Sequence, residues 1–278
     1  MYRINIAATN QARRLRDTHA RSRPKGTTMS ARTPLTLARF VAKLERRAPL
    51  PDRERAALLA LPVETRRHDA ARELIREGER PWRCSMVESG VVSSCRILRD
   101  GSRQILSFHL PGDMVDLQSA LMPVADRSAH ALSAVTIVSV AQDDLMALAV
   151  RFPAILRALW FDTLADAAIQ REWTINVGRR TARARTAHLL LEFASRMDAI
   201  GMLVDDSFEF PITQAGLADA LGLTHVHTNR MVQWLRSQQY IRTVGRVVTI
   251  ENWAEMRKLS GFDRAYLHPE GPRAGPAA

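Results

Sequence analysis

The sequence predicts an α+β fold in three parts: an N-terminal β-roll, a long helix, and a C-terminal winged helix-turn-helix. Three observations carry that prediction. Gly78, Gly90, Gly101 and Gly112 fall 12, 11 and 11 residues apart between short strand-like runs, the turn spacing of an all-β roll or sandwich. Pro153 opens an uninterrupted helical pattern reaching about Gly178. Between Pro211 and Ile250, two short helical patterns meet at Gly222 and are followed by a strand, a glycine turn and a second strand.

Bulk properties set the frame. A chain of 278 residues with 46% hydrophobic content suits two modest cores better than one. The longest apolar run, Ala131 to Ala141, is interrupted by Ser and Thr and is far shorter than the roughly 20 residues a bilayer needs, so no membrane span is expected. Two cysteines, Cys84 and Cys95, cannot build a disulfide framework or a four-thiolate iron-sulfur or zinc site within one chain, and a reducing, cytoplasmic compartment is expected. The net charge of +11 is unevenly spread: residues 1–28 hold seven Lys/Arg against one acid, whereas Arg179 to the end holds thirteen against ten. Basicity alone is therefore weak support for nucleic-acid binding, and local motifs must carry it.

Residues 1–30 are rich in Arg and poor in large apolar side chains, and are expected to be a disordered basic tail. Their composition also resembles an organelle presequence, and Met29 is an alternative start. The sensor part is placed at residues 31–150. It begins with Leu37, Phe40, Val41 and Leu44 at helical spacing and a second helix from Asp52 to Leu61, both packing elements at the domain entrance. Strands then run to Ala131–Ala141, with Ser89-Gly90 and Asp100-Gly101 as tight turns.

The helix of residues 151–179 would be about 40 Å long at 1.5 Å per residue. Leu156, Leu159, Thr163, Ile169, Trp173 and Val177 share one side, and Ile155, Leu164, Ala168 and Ile175 widen the apolar surface. That is more than one neighbour needs, which favours a partner helix across a two-fold axis over burial against its own domains alone.

Residues 180–262 are assigned to the winged helix-turn-helix, and 263–278 to a tail. Thr213 and Thr224 are positioned to cap the two helices. Ala218 and Gly222 supply the small residues a close crossing needs. Met231, Trp234 and Leu235 face inward; Thr228 stands where a β-branched hydrophobe would pack better. The second helix would enter the major groove N-terminus first, offering His225, Val226, Asn229 and Arg230 to base edges. Arg230 is the strongest candidate because a guanidinium bonds bidentately to guanine. Thr224 and His227 could meet phosphates or bases, and Arg246 at the wing tip a phosphate. His225 and His227, two apart on a helix, point about 200° from each other and cannot share a metal.

Several motifs occur in order: Gly78-Glu79, Glu88-Ser-Gly90, Asp100-Gly101, Pro111-Gly-Asp113, Asp126-Arg-Ser-Ala129, and Leu217-Ala-Asp-Ala-Leu-Gly-Leu-Thr224 running into Asn229-Arg230. In these the chain, from about Glu73 to Ile250, resembles the Crp/Fnr family of bacterial transcription regulators. The runs Arg103 to Asp113 and Ala168 to Trp173 look like one branch of it. The resemblance implies a cyclic-nucleotide-binding-like jelly roll, a dimerisation helix, and a homodimer that binds a two-fold symmetric operator in double-stranded DNA, with RNA polymerase as a partner. In nucleotide-binding members a Gly-Glu pair holds the ribose and an Arg-Ser pair the cyclic phosphate. Arg127-Ser128 matches the second pair, but the first falls on Asp116-Leu117, where Leu cannot accept a hydroxyl and Asp opposes an anion. No cyclic nucleotide is therefore expected at Asp116, Leu117, Arg127 and Ser128, and any effector is open. The cysteine cluster of the oxygen-sensing branch is absent, so no iron-sulfur cofactor is expected. Val226 replaces the acid many members use against cytosine, which points to a different half-site.

If Ser89-Gly90 is a two-residue hairpin loop, Cys84 faces Cys95 across the pair, giving either an inert buried thiol pair or a redox couple. Two rival functions stay open. A jelly-roll metal enzyme would need converging His and carboxylates, but the strand-like region from Glu73 to Ala141 offers only the isolated His109 and His130, and no nucleophile motif or phosphate loop appears, so no catalysis and no metal is expected. A non-specific architectural DNA binder would show a steep salt dependence and little sequence preference.

Overall fold

The computed structural model describes residues 37–269; the expected basic tail, Met29 and the final residues of the C-terminal tail lie outside them. Helix α1 (Ala38–Arg47) buries Phe40, Val41 and Leu44 together with Leu37, as its spacing predicts. Helix α2 (Asp52–Leu59) follows Pro51, whose fixed φ suits a helix start; it stops two residues short of the expected Leu61.

The roll consists of two antiparallel sheets. One orders β1 (Val63–His68), β7 (Val135–Ala141) and β3 (Arg83–Ser89); the other orders β2 (Glu73–Ile75), β6 (Ser128–Ala131), β4 (Val92–Ile97) and β5 (Arg103–His109). The run expected as one strand from Ala131 to Ala141 is thus two, β6 ending at Ala131 and β7 starting at Val135. Val138 and Val140 of β7 bury against Cys84 and Met86 of β3 and against α1, while Val92, Ala129, Ala131 and Val135 close a second core.

One expected pairing is overturned. Ser89-Gly90 does not close a β3–β4 hairpin; β3 pairs with β7, setting Cys84 opposite Val140, and β4 pairs with β5 and β6, setting Cys95 opposite Ile105 and Ser128. The turn carries the chain from one sheet to the other, because Val91 and Val92 after it are buried in different clusters from Met86 before it. Cys84 and Cys95 are both buried free thiols in separate clusters, so they are not the directly opposed redox pair the hairpin register implied. Cys95 instead lies 3.6 Å from His130 Nδ1, and burial pushes its thiol upward and that of Cys84 up to about 12.

Helix α3 (Gln142–Arg151) leads into α4 (Pro153–Gly178), 26 residues long with Pro at its first position, as predicted. Its core side is Ile155, Leu159, Ala165, Ile169 and Trp173, whereas Leu156, Thr163 and Val177, expected on that side, are exposed. After it come α5 (Ala182–Ala199), β8 (Ser207–Glu209), α6 (Gln214–Leu221), α7 (His225–Ser237), β9 (Ile241–Val244), β10 (Val247–Ile250) and α8 (Trp253–Ser260). Strands β8, β10 and β9 form one small sheet; α5 and β8 have no counterpart in the sequence reading. Residues 263–269, read as tail, include a 3-10 turn (Arg264–Leu267). Tyr266 there donates to Glu192 at 2.7 Å and stacks on His188, so this segment is part of the fold. Among the described residues no helix is long and apolar enough to cross a membrane.

Gly90 has φ +83°, and a Cβ there would sit 2.4 Å from the Ala134 carbonyl oxygen and 2.8 Å from Val135 Cγ1. Strain and overlap add, so Gly90→Ala is expected to lower unfolding free energy by about 3 kcal/mol. Urea unfolding followed by circular dichroism checks this; an unchanged midpoint would mean that the crossover is not tightly packed.

Candidate nucleic-acid interface and the cavity behind it

The helix-turn-helix is built by local chemistry. The Thr213 hydroxyl accepts from Gly216 N–H at 3.1 Å, and the Thr224 hydroxyl from His227 N–H at 3.2 Å, each satisfying a donor the first turn would leave unpaired. Gly222 sits at φ +60° and ψ 42°, a conformation that costs a side-chain-bearing residue about 1 kcal/mol or more. Leu217, Ala218 and Leu221 of α6 and Leu235 of α7 are buried, and Met231 and Trp234 are half-buried. Thr228, standing where a hydrophobe would pack better, is fully buried with its hydroxyl unpartnered, which adds a desolvation cost that the similar shape of its side chain does not offset.

The opposite face of α7 is open. His225, Val226, His227, Asn229 and Arg230 are exposed, as is Thr224 before them. Helix α7 contains no acid, and its N-terminus adds partial positive charge. Among the described residues neither Arg230, Arg236 nor Arg246 forms an ion pair, whereas Arg242 is held by Glu251 at 3.0 Å. A groove of about 150 Å³ between α7 and the wing is lined by Asn229, Gln233, Arg236, Thr243 and Arg246. The wing turn is fixed by the Arg246 carbonyl, which accepts from Phe210 N–H at 2.7 Å. Of the predicted reading residues, Asn229 lines this groove together with the wing's Arg246, while Thr224, His225, Val226, His227 and Arg230 are exposed outside its lining.

Behind that surface the helix-turn-helix rests on the roll. Arg103 of β5 pairs with Asp219 of α6 at 2.7 Å, Gln104 Nε2 donates to the Ala220 carbonyl at 3.4 Å, and Arg185 donates to the Leu221 carbonyl at 2.9 Å. The other end of β5, Leu106 to His109, lines a cavity of about 290 Å³ against α4.

The four residues expected around an effector divide in two. Arg127 and Leu117 line the cavity, and Asp116 and Ser128 do not. Arg127 is engaged, donating to Asp126 at 2.9 Å and to the Val115 carbonyl at 3.2 Å. The Ser128 hydroxyl accepts from Glu77 N–H at 3.0 Å. Asp116 is buried, accepts from Ser85 N–H at 2.7 Å, and leaves Oδ2 without a partner; burial pushes its carboxyl up to about 7. The negative side chains facing the cavity are instead Asp113, Asp126 and Asp166. His109 is held by Ser94 and Ser107 hydroxyls at 2.8 and 3.1 Å, and burial pushes it down to about 3, a neutral ring.

Sequence reasoning missed a buried charge cluster beside this cavity. Lys43 lies 2.9 Å from both Asp113 and Asp162, Arg196 lies 2.8 Å from Asp113, and Arg47 pairs with Asp162. Burial alone would raise the Asp113 carboxyl, but Lys43 and Arg196 overcome it and hold it well below the usual carboxylate range. Burial pushes Asp166 up to about 6, with Lys43 opposing. The paired residues of the cluster are 70 to 119 positions apart, so no local motif marks it; the one signal is Asp162 standing on the apolar face of α4 between Leu159 and Ile169.

The long helix leaves a second apolar surface. Leu156, Trp160 and Leu164 are 48, 65 and 52% exposed at successive turns, a short apolar stripe; Ile175, 46% exposed, lies further along the helix beyond the charged Arg171. Trp160 was not foreseen on it.

Comparison with known proteins follows this division. A model of the cyclic nucleotide-binding domain matches residues 65–152, and a model of the Crp-like helix-turn-helix domain matches residues 184–259. The chain is 31% identical over 178 residues to the nitrogen fixation regulation protein FixK of Azorhizobium caulinodans, covering 63% of this chain and 70% of the relative. It is 27% identical over 219 residues to the transcriptional activator protein FnrL of Cereibacter sphaeroides, covering 76% and 86%. Among solved structures, FixK2 from Bradyrhizobium japonicum superposes with a TM-score of 0.67 at 27% identity, covering 72% of this chain and 98% of that one.

Asp116 generates a pH prediction. Its folded pKa is raised above the unfolded value, so its contribution is fully present below about pH 4 and lost as pH rises through about 7. Asp116→Asn keeps an acceptor for Ser85 and is expected to match the parent near pH 4 but exceed it at pH 8 by about 1–3 kcal/mol. Denaturant titrations at the two pH values check this; a variant less stable at both would show that the carboxylate is satisfied in the fold.

Proposed function

The chain belongs to the Crp/Fnr family of DNA-binding transcription regulators, and from that premise we propose that it binds a two-fold symmetric operator sequence-specifically as a homodimer. The observation that carries the reading is the open start of α7, where Asn229 and Arg230 are exposed and Arg230 has no ion partner among the described residues. Arg230 reads a guanine edge, Asn229, His225 and Val226 meet neighbouring bases, and Thr224, His227 and Arg246 lie against the backbone. The partner copy packs along the stripe Leu156, Trp160 and Leu164, because exposing it in a lone subunit leaves apolar area in water. RNA polymerase is the expected protein partner, and the cytoplasm the compartment.

The roll serves as a sensor whose effector is not a cyclic nucleotide, or as a sensor that has lost its effector. Arg127 is already neutralised by Asp126, Leu117 offers no ribose acceptor, and acids face the cavity, all unfavourable to a cyclic phosphate. Catalysis is not part of the proposal.

Arg230→Ala is expected to cost about 1–3 kcal/mol at the specific site and to flatten base preference at one half-site position. Arg246→Ala weakens all duplexes alike. Fluorescence anisotropy against specific and random duplexes separates them; equal loss for both duplexes in the Arg230 variant would refute the assigned role and favour an architectural binder. Trp160→Glu combined with Leu164→Glu is expected to give a monomer with native circular dichroism in sedimentation, and a fall of at least tenfold in operator affinity. A variant still dimeric would place the interface elsewhere.

A further inference from the structure

Helix α7 exposes a single large apolar side chain, Val226, 63% exposed. The other exposed positions on that helix are polar or charged, among them His225, His227, Asn229, Arg230, Gln233 and Arg236. A β-branched residue in water near a helix start gains neither helix propensity nor burial. Val226 precedes Asn229 by three and Arg230 by four, so all three lie on one face.

The chemistry of that position is restrictive. An isopropyl group accepts and donates no hydrogen bond, and thymine alone among the four bases presents a methyl group in the major groove. An acid here would accept from cytosine N4; Val cannot. Valine in a helix holds essentially one χ1 rotamer, so its methyls are fixed before DNA arrives and little entropy opposes the contact. We propose that Val226 is a specificity determinant that reads the C5-methyl of a thymine in the base pair next to the guanine bound by Arg230. The inference rests on the reading of the chain as a sequence-specific DNA binder and adds the identity of a base and the atom by which it is recognised.

The test uses the full-length protein and its Val226→Ala variant, with the duplex enriched by selection from random DNA. Each thymine of one half-site is replaced in turn by uracil, which removes only the methyl. In the parent protein, uracil at the thymine beside the Arg230 guanine is expected to weaken binding about fourfold, the equivalent of about 0.8 kcal/mol for one buried methyl group. In Val226→Ala the same replacement has no effect, while thymines elsewhere respond alike in both proteins. A selected half-site without thymine beside that guanine, or a uracil effect equal in both proteins, overturns the inference while specific binding leaves the regulator reading intact. Binding with no sequence preference at all overturns both.

Discussion

Lys43 lies at the point on which the arrangement of this chain turns. Its ammonium reaches Asp113, in the Pro-Gly-Asp segment after β5, and Asp162, on the inner side of α4, at equal distances of 2.9 Å. Arg47 joins at Asp162, and Arg196 of α5 binds both Asp113 and the Phe108 carbonyl at 2.8 and 2.7 Å. One cluster thereby ties α1, the roll, the long helix and the first helix of the DNA-binding part. Such buried pairs add little net stability over an apolar replacement, but losing one partner strands the others at about 3–5 kcal/mol. Their value is geometric: α4 and the helix-turn-helix are held in one relation, which fixes where α7 points relative to α4.

Strand β5 is the second tie, and it touches both the cavity and α6. Leu106 to His109 line the cavity, Gln170 of α4 donates to the Leu106 carbonyl at 2.7 Å, and Arg103 and Gln104 grip α6. Gly222 is part of the same contact, since a Cβ there would lie 3.3 Å from Val177 Cγ1 of α4. A shift in β5 on filling the cavity would act on α6 directly, without passing through the α4–α5 junction. These contacts leave Thr224, His225, Val226, His227, Asn229 and Arg230 exposed, so anchoring does not cover the start of α7.

Much of this was legible in the sequence because it is governed by short-range rules. The bounds of α4, the capping roles of Thr213 and Thr224, the αL turn at Gly222, the wing strands and the exposed reading face follow from periodicity, side-chain to backbone hydrogen bonds and glycine's freedom. What failed was pairing at a distance. Ser89-Gly90 has hairpin chemistry, yet β7, nearly fifty residues later, takes the place beside β3, which removed the expected Cys84–Cys95 register. The roles of Asp116 and Ser128 changed for the same reason: the Ser85 N–H of β3 engages Asp116 Oδ1, and the Glu77 N–H in the turn after β2 engages the Ser128 hydroxyl. Helix α5 was invisible because it is buried nearly all round, leaving no amphipathic period to read.

The proposed arrangement is two copies, joined along α4, that present two α7 helices to one duplex. Selection of bound duplexes from random DNA by the purified protein tests it most directly. An inverted repeat with half-sites centred about one helical turn apart, roughly 34 Å, is the predicted result; enrichment of a single unrepeated motif, or of none, would contradict it.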